Sequence, residues 1–183
     1  MMFGFFKRNK EVTVGGRKNR FPVSSSVKTD IEEKIYVKGT RISWHNDLIE
    51  EFKDEHVMLI SLFSSIVAAL DRGDCSSVRL YLKEFKRELI SHILRENVLL
   101  YVYLKYLYID DRNKRDLARK MQKEMTAIGN MVFVFISKAT AEGAVYDDDF
   151  RKELEAVGEQ LTRRIQVEEE GLYNLYTHPE SVH

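Results

Sequence analysis

The sequence predicts an all-α protein, an antiparallel four-helix bundle in up-down-up-down order with an N-terminal arm. Three observations carry that expectation. From residue 46 onward, apolar residues recur at alternating steps of three and four, the spacing of a helix with one face on a core. Two prolines and nine glycines in 183 residues leave room for long uninterrupted helices. Two segments 72 residues apart, SHILRENVLLY (residues 91–101) and RRIQVEEEGLY (residues 163–173), share a pattern without gaps, Ile93 with Ile165, Glu96 with Glu168, Leu100 with Leu172 and Tyr101 with Tyr173.

The first helix presents Ile49, Phe52, His56, Leu59, Phe63, Ile66 and Leu70 on its seam, with Asn46 or Asp47 as N-cap. The second, entered through Ser76 or Ser77, presents Val78, Leu82, Phe85, Leu89, His92, Glu96, Leu99 and Tyr103. The third is less regular, with Leu117, Met121, Met125, Ile128, Val132 and Phe135. The fourth presents Phe150, Leu154, Val157, Leu161, Arg164, Glu168, Gly171 and Leu175, opened by the acidic run Asp147, Asp148, Asp149 that suits the positive end of a helix. Short polar connections at residues 71–75, 110–113 and 142–146 make sequential helices antiparallel neighbours. The bundle therefore covers residues 46–176, and 177–183 form a polar tail in which His178 and His183 are expected to be solvated.

Charge divides the chain. Residues 1–45 hold ten Lys and Arg against four Asp and Glu, and the rest balances that excess to a net charge of zero. Residues 1–29 show no sustained period and read as a mobile, solubilising leader; the functional reading is an electrostatic contact with an acidic lipid, nucleic acid or protein surface. Its positive charge is too thinly spread for a nucleic-acid patch, so no nucleic-acid partner is expected. Around Lys38-Gly39, Ile35, Val37, Ile42 and Trp44 alternate, and residues 31–44 read as a short extended arm or hairpin. No apolar run is long enough to span a membrane, and the single cysteine, Cys75, fits a reducing compartment; the cytoplasm is the expected location.

The chemistry concentrates on the seams. His92 and Glu96, four residues apart, share a helix face, and an inward imidazole and carboxylate at that spacing offer two ligands to a metal inside a bundle. In the second copy of the repeat Arg164 stands where the imidazole should be. His56, His92, Glu96, Met125, Arg164 and Glu168 are expected in one layer, or two adjacent layers, at mid-bundle. Such groups need partners, because an unpaired buried carboxylate costs several kcal/mol. Arg164 is expected to bridge Glu96 and Glu168 through its planar fork. His45 beside Trp44 reads as a cap or arm residue, and the tyrosine-rich Leu99–Tyr108 stretch as a wide packing face. No nucleophile–base pair, phosphate-binding glycine loop or zinc-type cysteine spacing is present.

LIEEFKDEHVMLISLFSSI followed by FKRELISHILRENVLLYVYL resembles the first half of a hemerythrin-like, cation-binding (HHE) domain. The resemblance implies a bundle that binds a non-haem di-iron centre. His56 matches the first-helix ligand, His92 and Glu96 the second-helix pair, and Glu168 the fourth-helix carboxylate, whereas Met125 and Arg164 occupy the third- and fourth-helix histidine positions. A shorter phrase, IQVEEEGLYNLY, is similar to anti-sigma regulators of the regulator-of-sigma-D kind and implies a protein-binding role. The expectation is a non-catalytic regulatory or interaction domain for an unidentified protein partner, with no cofactor, its di-iron site replaced by a salt-bridged layer. The alternative is a sensor keeping one iron or another divalent cation on His56, His92, Glu96 and Glu168.

Overall fold

The computed structural model describes residues 34–182, and these fold as an all-helical bundle; the leader, the start of the expected arm and His183 lie outside the described residues. Four long rods make it up. The first is α1 (Leu48–Asp71). The second is α2 (Cys75–Arg95), continued through a π-helical segment (Glu96–Tyr101) into α3 (Val102–Leu107). The third is α4 (Arg112–Ala139). The last is α5 (Asp148–Val167), which runs through a second π segment (Glu168–Leu172) into a 3₁₀ turn (Tyr173–Leu175). Among the described residues no helix is long and apolar enough to cross a membrane.

Helix starts follow side-chain chemistry. Asp111 and Asp147 cap α4 and α5 by accepting from the backbone N–H groups of Lys114 and Phe150. The second rod is capped by Asp74 rather than by the expected Ser76 or Ser77. Its carboxylate accepts from the backbone N–H of Ser77 and from the hydroxyls of Ser76 and Ser77. Hydrogen bonds from Ser77 and Ser76 hold the Asp74 carboxyl at about 2. Asp47 precedes α1 but makes no side-chain cap. Before α1, Tyr36 and Ser43 form an antiparallel bridge around Gly39, whose φ of 73° is left-handed and suits glycine.

The two π segments correct the expected seams. A π turn inserts one extra residue, so an inward face read at the α-helical period slips by one beyond it. After Glu96 the buried residues are Leu100, Tyr101, Tyr103, Leu104, Leu107 and Tyr108, with Leu99 only half-buried. After Glu168 they are Leu172, Tyr173 and Tyr176; Gly171, expected on the seam, is exposed and Leu175 is half-buried. Each carboxylate thus shares the interior with the residues four and five places onward, which puts a tyrosine beside each.

Two apolar clusters sandwich the polar layer. One, toward the α1–α2 and α4–α5 turns, contains Ile66, Leu82, Leu89, Val132, Phe150 and Leu154. The other contains Leu48, Phe52, Leu100, Tyr103, Met121 and Leu172. Tyrosine hydroxyls bind the C-terminal segment to this second cluster: Tyr103 donates to the Thr177 carbonyl at 2.6 Å and Tyr108 to that of Leu175 at 2.8 Å. At Gly158 a Cβ would fall 2.7 Å from the Phe63 ring, so glycine lets that ring bridge from α1 to α5.

Candidate metal centre

His56 from α1, His92 from α2, Glu96 and Glu168 from the starts of the π segments and Arg164 from α5 are all at least 96% buried. Met125 of α4 is buried beside them. One ligand atom each from His56, His92 and Glu168 lies within 4.8 Å of the others. The two Nε2 atoms are 3.2 Å apart, and Oε2 of Glu168 is 3.3 Å from Nε2 of His56. Oε2 of Glu96 is 4.0 Å from Nε2 of His92, sealed from solvent and without a hydrogen-bond partner.

Both imidazoles are oriented from outside. Nδ1 of His56 is 2.8 Å from Oε1 of Glu169, and Nδ1 of His92 is 2.8 Å from Oε2 of Glu55. A carboxylate on Nδ1 fixes the proton there and turns the Nε2 lone pair inward, the arrangement by which proteins orient imidazole ligands. Arg95 holds Glu55 in turn, and also Glu51. Burial, and then the neighbouring His56, lower the His92 pKa to about 4, so its imidazole is neutral near pH 7. Two lone pairs 3.2 Å apart repel unless a proton or a cation stands between them.

The carboxylates differ. Burial, reinforced by the charge of Glu168, pushes Glu96 well above the usual range. Burial also works against ionised Glu168, but the adjoining His56 imidazole and the charge of Arg164 outweigh it and hold its pKa below the usual value. Arg164 does not form the expected bridge. Its Nε donates to Oε1 of Glu168 at 2.6 Å, and its Nη2 donates to the Tyr101 hydroxyl at 2.8 Å. Glu96 instead accepts from the Tyr173 hydroxyl at 3.0 Å, and that ring stacks at 11° on His56. The reason is geometric: the π segments place Tyr101 and Tyr173 beside the layer, where each takes a bond that a longer reach of the guanidinium would have made.

Sequence reasoning passed over four of these residues. Tyr101 and Tyr173 carried a signal, since each stands five places after its glutamate in the repeat. Glu55 and Glu169 adjoin His56 and Glu168 and carried none that separates them from Glu51 or Glu170. His45 stands before α1 and apart from the layer: its carbonyl accepts from the Leu48 N–H, its backbone N–H donates to the Tyr176 hydroxyl, and its ring meets Ser43. His178, half-buried, packs edge-on against Trp44 rather than standing wholly in solvent.

The donor set suits a metal cation. Two inward imidazole nitrogens and two carboxylate oxygens, one of them without a partner, form a mixed nitrogen and oxygen set suited to iron or zinc. The outer carboxylates give a direct test. Glu55→Gln is expected to weaken binding of a single zinc ion by roughly 10–100-fold, measured by competition with a chelator.

Residues 47–176 match the profile of a family described as Hemerythrin HHE cation binding domain. No curated protein and no solved structure matches the chain.

Proposed function

This chain belongs to the hemerythrin HHE cation-binding domain family, and we propose that it is a non-catalytic sensor holding one divalent cation, iron among the choices, on His56, His92, Glu168 and Glu96. The observation that carries this reading is the pair of Nε2 atoms, 3.2 Å apart, each backed by a carboxylate on Nδ1 and facing a carboxylate oxygen. A bound ion would supply positive charge that neutralises both glutamates. The residues would hold it, orient the imidazoles and exclude water. The reading takes the four rods as up, down, up and down. Three sets of pairings whose order reverses support it: Glu51 with Arg95 and Glu55 with His92, Lys86 with Ser137 and Gln122 with Asn97, and Asp71 with Arg151 and His56 with Glu169. A cytoplasmic setting, suggested by the lone Cys75, belongs to the same proposal.

One observation favours a second reading. The buried Arg164–Glu168 pair at 2.6 Å neutralises one carboxylate without metal, as a regulatory or protein-interaction domain with a salt-bridged layer would require. Metal analysis of protein purified without chelator separates the two. About one tightly held divalent ion per chain, without the absorption of an oxo-bridged iron pair, is expected. Protein that neither retains nor takes up an ion would leave the salt-bridged domain standing, and about two irons per chain would overturn both.

A further inference from the structure

A cavity of about 250 Å³ reaches the metal centre from between α1 and α5. Its inner end is formed by His56, His92, Glu168 and Arg164. Its walls are apolar, with Leu59, Phe63, Leu89, Met125, Leu161 and Ile165. At its mouth Ile60 is 51% exposed and Ser64 and Thr162 are exposed. An engineered apolar cavity of roughly 150 Å³ holds a benzene ring, so this one has room for a ring or short chain bearing a small head group.

The polar end selects the head group. Arg164 is 96% buried, and two of its three nitrogens are engaged, Nε by Glu168 and Nη2 by Tyr101. Among the described residues, Nη1 has no hydrogen-bond partner. A guanidinium edge presented in a poorly solvated wall favours a carboxylate, which it binds by charge-assisted hydrogen bonds. Charge decides whether one is admitted. Without a cation Glu168 already occupies and offsets the guanidinium, so nothing draws in a further anion. A divalent cation adds two positive charges to the layer and shifts it toward accepting one. A long acyl chain exceeds the volume, and a doubly charged anion would bring too much charge into so apolar a space.

We propose that the metal-loaded protein binds a small monocarboxylate with an apolar body, its head against Arg164 at the metal layer and its body in the cavity between α1 and α5. This inference rests on the single-cation reading and names the ligand class of that site. The guanidinium, engaged on one side by Glu168 and Tyr101, is the group that reads the anion, and the leucine, phenylalanine and methionine walls read its body. Leu161 and Ile60 stand on the cavity wall and at its mouth, outside the ligand set, so either can be enlarged without touching the metal.

Zinc-loaded protein titrated with benzoate and hexanoate in a calorimeter tests it, with benzyl alcohol and hexanol as neutral counterparts and chelator-treated protein as control. Saturable one-to-one binding of a carboxylate is expected, at least about tenfold tighter than its alcohol and lost on removing zinc. Leu161→Trp and Ile60→Trp are expected to abolish it while retaining stoichiometric zinc; either variant that folds is sufficient. Alcohols that bind as tightly as the acids would make the cavity a site for neutral molecules and overturn the inference. Failure of either acid to bind zinc-loaded protein would overturn it too, as would wild-type affinity in a folded tryptophan variant. Failure of zinc itself to bind would instead overturn the single-cation reading.

Discussion

An Arg164→Met chain is expected to lose about 3–5 kcal/mol of stability at neutral pH in the presence of chelator, the typical cost of removing one partner of a buried ion pair. The guanidinium is 2.6 Å from Glu168 and also serves the Tyr101 hydroxyl, so its removal strands a carboxylate and a phenol together. The pH dependence has a definite sign. The folded-state pKa of Glu168 is below its ordinary value, so its ionisation contributes stability above the usual carboxylate range, lost as pH falls through the folded value. Arg164 is one source of that depression, so the deficit of the variant narrows as the medium becomes mildly acidic and Glu168 takes up a proton. Zinc should narrow it as well, by supplying positive charge to the same layer. Urea unfolding at neutral and mildly acidic pH, with and without zinc, reads all three effects. A variant as stable as the parent at neutral pH would show that the arginine compensates nothing. Arg164→His, which restores the histidine–glutamate spacing on α5, is the companion variant and should bind zinc more tightly than Arg164→Met.

Replacing His92 by alanine is expected to weaken zinc binding by more than the roughly 100-fold upper range associated with an outer hydrogen-bond partner, because it deletes an inward nitrogen outright. It should also change how metal-free protein responds to acid. Burial holds the His92 pKa at about 4 against an ordinary 6.5, so the fold prefers the neutral ring. That preference contributes stability above the ordinary value and is lost as pH falls from there toward the folded one, on the order of 3 kcal/mol across the window. Glu96 works the other way: with its folded pKa raised, its protonation recovers stability as pH falls. The difference between parent and His92→Ala across the window isolates the histidine. If the two chains lose stability in parallel on acidification, the imidazole is not a buried neutral ligand.

Much of the bundle was legible because its physics is local. Phe52, Leu59, Ile66, Leu82, Leu89, Phe150 and Leu154 occupy the helical spacing that the sequence displays, and all are buried. His56, His92 and Glu168 stand on the same seams, and the fold brings them together. The slip after Glu96 and Glu168 was not legible, because a seam extrapolated at one period has no way to register an added residue. Nor was the partner of each carboxylate. Whether the Arg164 fork reaches Glu96 depends on the competing tyrosine hydroxyls, whose positions exist only once the π segments have turned them inward. Glu55 and Glu169 escaped notice for a related reason: one glutamate among several becomes important only when an imidazole nitrogen arrives 2.8 Å away.

The two π segments also mirror one another. A π turn arises most simply when one residue is inserted into an α-helix, and such an event is costly enough to be kept only where it serves something. Here it begins at Glu96 in one half of the chain and at Glu168 in the other, and each time the tyrosine five places on is turned inward. The backbone thus repeats where the sequence repeats, and each buried glutamate stands at the point where its rod changes pitch.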